Sequence, residues 1–318
     1  MYLESEKSIC NMLENKKRID NEYLYPEVYT KIQIIKKAFD EIVTTLKVSG
    51  VKRTVFKINC RIHKEKIFDK QAKYDADDFS EIQYKYLSDI GNKRIAVYTA
   101  IFGGYDELRE PEYVSPFCDY FIFTDRNVPE NSTWKKVDYS FVEEMNGMDA
   151  YHLSKYVKIF PDKFFKDYDY SIWVDGTTTI VADLFPFIDR LNGKPIGMFD
   201  NPVHDCIYTE ANFLLYYNRV PEEQIKKQIN SYRSEGYPEH NGMFECTIIA
   251  RKHNDSECIS IMSDWWNQIV TFTMRDQISF PYVLWKRNAT NQVAPLGKNR
   301  NFNPRLKFDK HTKTHKYK

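Results

Sequence analysis

KRIAVYTAIFGG, residues 93–104, decides the fold class. From Ile95 to Phe102 the run is apolar apart from Tyr98 and Thr99, and two glycines end it. A short run of this kind reads as a strand covered on both faces. FCDYFIFTD (117–125) and YSIWVDG (170–176) repeat the pattern, and ECTIIA (245–250) is a shorter case. Between the strands the period changes. Leu153, Val157 and Phe160 have helical spacing and stop before Pro161. A helix is predicted over 221–232, opened by Pro221 and closed before Gly236, and another over 258–272, which carries Trp265 and Trp266. Strands alternating with helices predict an α/β sheet with helices packed on its faces.

The flanks read differently. Val28, Ile32, Ile35, Phe39, Ile42 and Leu46 recur at helical spacing, and Ser49-Gly50 supplies a stop. The stripe is shorter than the roughly three to four heptads of a coiled coil, so packing onto the main domain is expected. Between Lys286 and Lys318 ten Lys/Arg stand against one acid, Asp309, although the whole chain carries only +1. A basic tail on an acidic body suits an anionic surface, and peripheral membrane contact is the expectation it raises; a solvated terminus is the plain alternative.

Composition bounds the class. The 318 residues are 42% hydrophobic and 29% charged, enough for a core and a polar shell, which excludes wholesale disorder and fibres. Tyr and Phe are abundant, which fits an aromatic core and also stacking on sugars. No stretch approaches the ~18 apolar residues of a membrane helix. The six cysteines form no C-x-x-C pair, and the first residues lack the apolar stretch of a signal peptide. A cytoplasmic location with reduced thiols is expected.

Chemistry is expected beyond the carboxyl ends of the strands. Gly103-Gly104-Tyr105-Asp106, Thr124-Asp125 and Asp175-Gly176 stand there. Asp175 ends an otherwise apolar strand, so it is paired, exposed or bound to a cation; an Asp before Gly also starts ordinary turns. Further polar groups cluster later: His204 and Glu210, then Glu245, Arg251 and His253, then Arg275, Asp276 and Gln277. Arg and Lys suit phosphate oxygens and carboxylates suit proton removal, while each group alone also reads as a salt bridge. Lys155 and Lys158 lie opposite Leu153 and Val157, which reads as a solvated face. No G-x-G-x-x-G, P-loop, H-E-x-x-H or G-x-S-x-G is present.

YTAIFGGYDEL, FIFTD, SKYVKIFPDKFF, YDYSIWVDGTTTI, HDCIYTEA, EHNGMFECTIIARKH and RDQISFPYVLW, in this order over residues 93–287, resemble the DUF616 family of glycosyltransferase-like proteins. The resemblance implies a GT-A-like α/β fold: one mixed, mostly parallel sheet flanked by helices. Outside its strong part the residues themselves read as a helical extension over 1–90 and a basic tail over 288–318, and the resemblance places a catalytic domain over 91–287. It also implies a nucleoside-diphosphate sugar donor and a glycan acceptor, in surface polysaccharide synthesis at the inner face of a membrane, with no nucleic-acid partner. Donor contacts would come from Thr99, Ala100, Phe102, Gly103, Tyr105, Asp125, Lys155, Lys158, Asp175, Gly176, Arg251 and His253. Acceptor contacts would come from His204, Glu210, Arg275 and Gln277, with Asp276 as first candidate for the acceptor-facing acid and Glu245 as its rival. Asp175 stands where the family fold holds a divalent cation, Mn or Mg. Thr177 replaces the second Asp of the usual pair, so Lys or Arg contacts are the alternative to a metal. Two other readings remain: a hydrolase of lipid or glycan, ceramidase-like, and a carbohydrate-binding protein without catalysis.

Overall fold

The computed structural model describes residues 3–25, 31–87 and 91–309. Val28 and the last nine residues of the basic tail therefore lie outside the described residues. The chain opens with α1 (Glu6–Leu24) and α2 (Lys31–Ile62). The main body runs β1 (Ile95–Ile101), β2 (Cys118–Thr124), β3 (Lys135–Lys136), α3 (Ala150–Ile159), β4 (Tyr170–Val174), β5 (Thr178–Ile180) and α4 (Phe185–Asp189). It continues with β6 (Ile196–Asp200), α5 (Ile207–Tyr216), α6 (Glu222–Ser234), β7 (Phe244–Arg251), α7 (Ser256–Thr271) and α8 (Asp276–Lys286), and closes with β8 (Val293–Gly297) and β9 (Leu306–Phe308).

Seven strands form one sheet in the order β3-β2-β1-β4-β7-β6-β8. Every pairing is parallel except the two made by β7. This is the mixed, mostly parallel α/β architecture expected. All seven residues of β1 are buried, because both faces are covered. Ala96, Tyr98 and Ala100 face a core shared with α3 and α5–α8. Ile95, Val97 and Ile101 face a second core with α4, β8 and Leu306. Asp149 starts α3 by accepting from the backbone N–H groups of Tyr151 and His152.

Two expectations about the flanks change. First, α2 is two helical halves broken at Gly50 (φ 75°). Glu41 pairs with both Lys57 and Arg61. Residues that far apart on a straight helix would be roughly 24 Å apart or more, so the chain doubles back at Gly50. The second half reaches α5, where Cys60 packs with Tyr216. The stripe of the first half does not pack: Ile32, Ile35, Phe39 and Leu46 are exposed. Second, residues 288–309 are no tail. β8 is an edge strand of the main sheet, and β9 pairs antiparallel with β5. Arg305 is wholly buried, paired with Glu4 and Glu81, and Arg300 and Lys307 pair with Glu245 and Glu112. Three basic residues in the described part of this stretch thus meet acids of the body. No helix among the described residues is long and apolar enough to cross a membrane.

Candidate functional site

Three parallel strands, β1, β2 and β4, end at one edge of the sheet, and antiparallel β7 begins there. The register fixes this: Val174 faces Ile248, whereas Ser171, at the start of β4, faces Arg251. Asp175 follows β4 directly, and its N–H donates to Thr247 O at 3.0 Å. Trp173 lies two residues earlier on the same strand face, and its Nε1 donates to Asp175 Oδ1 at 2.5 Å. Lys158, from α3, donates to the same oxygen at 3.3 Å. The carboxylate is thereby oriented while its side chain stays 35% exposed.

The same ammonium reaches Asp276, the first residue of α8. Lys158 and Lys155 both donate to Asp276 Oδ2, at 2.8 and 2.7 Å. Lys158 is buried (3% exposed), so the solvated face expected of α3 at this position is in fact an internal ion cluster. Burial alone would lower the Lys158 pKa, but Asp175 and Asp276 outweigh it and raise it well above the ordinary value. Burial would raise the Asp276 pKa, but Lys155 and Lys158 hold it far below the usual carboxylate range. Asp276 Oδ2 thus already holds two ammonium donors. Glu245 is the carboxylate next to it: its Oε1 accepts from Thr247 Oγ1 (2.7 Å) and Gln277 Nε2 (3.0 Å) and lies 3.3 Å from Arg300 Nε.

The β1 and β2 ends meet through a second contact. Gly103 (φ 61°) donates its N–H to Asp125 Oδ2 at 2.8 Å. A Cβ on Gly104 (φ 60°) would fall 1.6 Å from Arg126 Nη2, so the missing side chain makes room for that guanidinium. Arg126 also lines a cavity of about 390 Å³ beside Ile101, Asp106, Thr124, Asn127 and Ser132. Gly176 adjoins it, since a Cβ there would lie 3.2 Å from Ile101 Cγ1.

Several expected residues fall elsewhere. Arg251 is fully buried at the opposite edge of the sheet, with Tyr98 Oη and Met262 Sδ as partners. His253 lies beyond it, donating Nε2–H to Phe165 O at 2.8 Å, and burial pushes its pKa down to about 4. Both are removed from the donor group. His204 and Glu210 are buried as a pair, Nδ1 to Oε2 2.6 Å, with His204 Nε2 donating to Ile67 O. They anchor residue 67 to α5 and present no surface to an acceptor. Thr99, Ala100 and Phe102 are core residues behind the edge, and Arg275 is turned to Arg219 O at 2.6 Å. Tyr105 stays half-buried beside the glycine turn. Trp173, Arg126, Thr247 and Arg300 join the site without having been expected. Trp173 carried a signal, since residues two apart share a strand face; Arg300 carried none.

A divalent cation at Asp175 fits this donor set poorly. One carboxylate oxygen already holds an indole N–H and an ammonium, and the nearest second carboxylate, Asp276, is taken by two lysines. Among the described residues no group of three or more His, Cys, Asp or Glu donors includes Asp175.

A family model described as TOD1/MUCI70, glycosyltransferase-like domain, matches residues 43–303. The chain belongs to this family. The matched span takes in the second half of α2, the whole edge with Asp175, Asp276 and Glu245, and β8. A curated relative of the TOD1/MUCI70 domain, "Probable hexosyltransferase MUCI70" of Arabidopsis thaliana, is 23% identical over 242 residues, 66% of this chain. The chain spans about two-fifths of that relative's length (39%). Among solved structures, the apo form of the bifunctional glycosyltransferase WbbM aligns with TM-score 0.41 at 11% identity, over 66% of this chain and 40% of that one. The glycosyltransferase GlyE of Streptococcus pneumoniae TIGR4 aligns with TM-score 0.37 at 10% identity, over 64% and 45%.

Proposed function

We propose that this TOD1/MUCI70 domain transfers a hexose from a nucleoside-diphosphate donor to a glycan hydroxyl. The observation that carries the reading is Asp175: a partly exposed carboxylate at the strand edge, oriented by Trp173 and Lys158. Lys155, Lys158, Asp175 and Asp276 together sum to zero charge, so this cluster does not neutralise a diphosphate. Its work is positioning. It holds Asp175 fixed as an acceptor for donor hydroxyl groups. The charge left on the departing diphosphate falls to Arg126, whose guanidinium stands at the glycine turn. The C1–O bond to the diphosphate breaks, the acceptor oxygen bonds to C1, and in an inverting reaction Glu245 takes the acceptor's proton.

A nucleotide-sugar panel with a glycan acceptor, backed by thermal-shift titration with UDP, GDP and CMP, tests the reading. One nucleoside diphosphate should raise the melting temperature, and its sugar should be turned over at the same rate whether or not Mn²⁺ or Mg²⁺ is added. No shift with any nucleotide, or amide or glycosidic cleavage in place of transfer, would remove it.

A further inference from the structure

We propose that Asp69, Cys206 and His240 form a site for one zinc-class divalent ion, separate from the strand-edge carboxylates. A carboxylate oxygen of Asp69, Sγ of Cys206 and a ring nitrogen of His240 lie within 4.8 Å of one another. Asp69 Oδ1 accepts from Asp205 N at 3.0 Å, but Oδ2 is shut off from solvent and has no hydrogen-bond partner. A buried anionic oxygen without a partner is costly, and a bound cation removes that cost. His240 is already dressed as a ligand. Its Nδ1 lies 2.5 Å from Asp205 Oδ1. A carboxylate on Nδ1–H selects the tautomer in which Nε2 is unprotonated and free to bind a metal, the outer-shell arrangement that orients metal-bound imidazoles.

Three stretches of chain converge here. Lys70 N and Ala72 N donate to Val203 O and Pro202 O, and Gly242 N donates to Asp205 O. Asp69 precedes the first stretch, Cys206 ends the second just before α5, and His240 begins the third. An ion would staple the segment after α2 to the β6–α5 loop and to the approach to β7. The donor set selects the metal. A thiolate with an imidazole disfavours Mg²⁺ and Ca²⁺, and one thiolate, one imidazole and one carboxylate suit zinc with water as fourth ligand. The ion has a route in: the His240 side chain is 58% exposed, and Asp69 lines a cavity of about 740 Å³.

The test uses the full chain, purified without a polyhistidine tag or chelator, with metal content read by mass spectrometry and site chemistry by Co²⁺ substitution. About one zinc per chain is expected, and Co²⁺ should give a thiolate charge-transfer band together with tetrahedral d–d bands. Cys206→Ser should abolish the charge-transfer band. His240→Ala, at an exposed position, should lose the metal while keeping the fold, and Asp205→Asn should weaken zinc binding by about 10- to 100-fold. No zinc retained after incubation and dialysis, or zinc retained equally by His240→Ala, would overturn the proposal.

Discussion

The guanidinium of Arg126 occupies the space that a side chain on Gly104 would need: a Cβ there would stand 1.6 Å from Nη2. Gly104 also has φ 60°, a backbone state that costs an L-residue roughly 1–2 kcal/mol. Gly104→Ala should therefore do two separable things. It should destabilise the fold by about that amount, and it should push Arg126 out of its place. If Arg126 carries the diphosphate, Arg126→Ala should weaken nucleoside-diphosphate binding by roughly 10- to 150-fold, the worth of one charge-assisted hydrogen bond, with no matching loss of stability. Calorimetric titration of both variants checks this. Unchanged affinity in both would assign the phosphate contact elsewhere.

Asp175→Asn keeps the size of the side chain but removes its charge. Asn can still accept from Trp173 Nε1 and Lys158 through its carbonyl, so the strand end should hold its shape. The expected outcome is a drop of roughly 10- to 150-fold in kcat/KM, from one lost charged acceptor, with a lowered melting temperature, because buried Lys158 keeps only Asp276 as counter-charge. Steady-state kinetics and a thermal scan on the same sample decide it. Full activity would reduce Asp175 to a turn residue.

The cluster around Lys158 predicts a pH profile of stability. Asp276 has a folded pKa far below its unfolded value of about 3.9, so its contribution is fully present above that unfolded pKa and is lost as the pH falls below it. Lys158 has a folded pKa raised above its unfolded value of about 10.4, so its contribution is full below that value and is lost as the pH rises through the folded pKa. Between these limits the pair should contribute a flat plateau. Lys158→Met breaks a buried pair and should cost about 3–5 kcal/mol at neutral pH. It should also flatten part of the acid limb, because Asp276 would keep only Lys155. Urea titrations from strongly acidic pH, below the unfolded carboxyl value of about 3.9, up to neutral pH, in parent and variant, measure both effects; parallel acid limbs would show that the two groups are not coupled.

What was legible in the sequence follows the range of the physics. β1, β2, β4 and β7 announced themselves because burial on both faces makes a local apolar run. Asp175 stood out because it ends such a run. β6 has only five residues between Pro195 and Asn201, and β8 contains Pro295, which argues against a strand unless it lies at a sheet edge, as it does. α8 was hidden by Pro281 within it. The Lys158 cluster was illegible for another reason. Polar residues at helical spacing look solvated, and the acid that buries this lysine lies 118 positions away. Arg251 and His253 misled in the opposite sense. They follow the β7 run closely, but β7 is antiparallel, so the same proximity puts them at the wrong edge.

The C-terminal stretch makes the last prediction. Arg305 is fully buried, donates from Nη1 to Glu4 Oε1 at 2.6 Å and from Nε to Glu81 Oε2 at 2.8 Å, and also donates to Asp183 O at 2.9 Å. It thus ties the residue before α1, the segment after α2 and the start of α4 to β9. Burial would lower its pKa, but Glu81 and Glu4 outweigh it and raise it further. Arg305→Met leaves Glu4 in the interior without its cation and Glu81 with Arg190 alone, and should cost about 3–5 kcal/mol. Restoring neutrality with Glu4→Gln in the same chain should recover part of that loss, since Glu81 keeps Arg190 and the penalty is an unpaired charge and not a lost volume. Deleting residues 293–318 removes an edge strand, the β5 partner and this arginine together, and should give insoluble protein. Soluble, cooperatively melting protein from that deletion would show that the body folds without them.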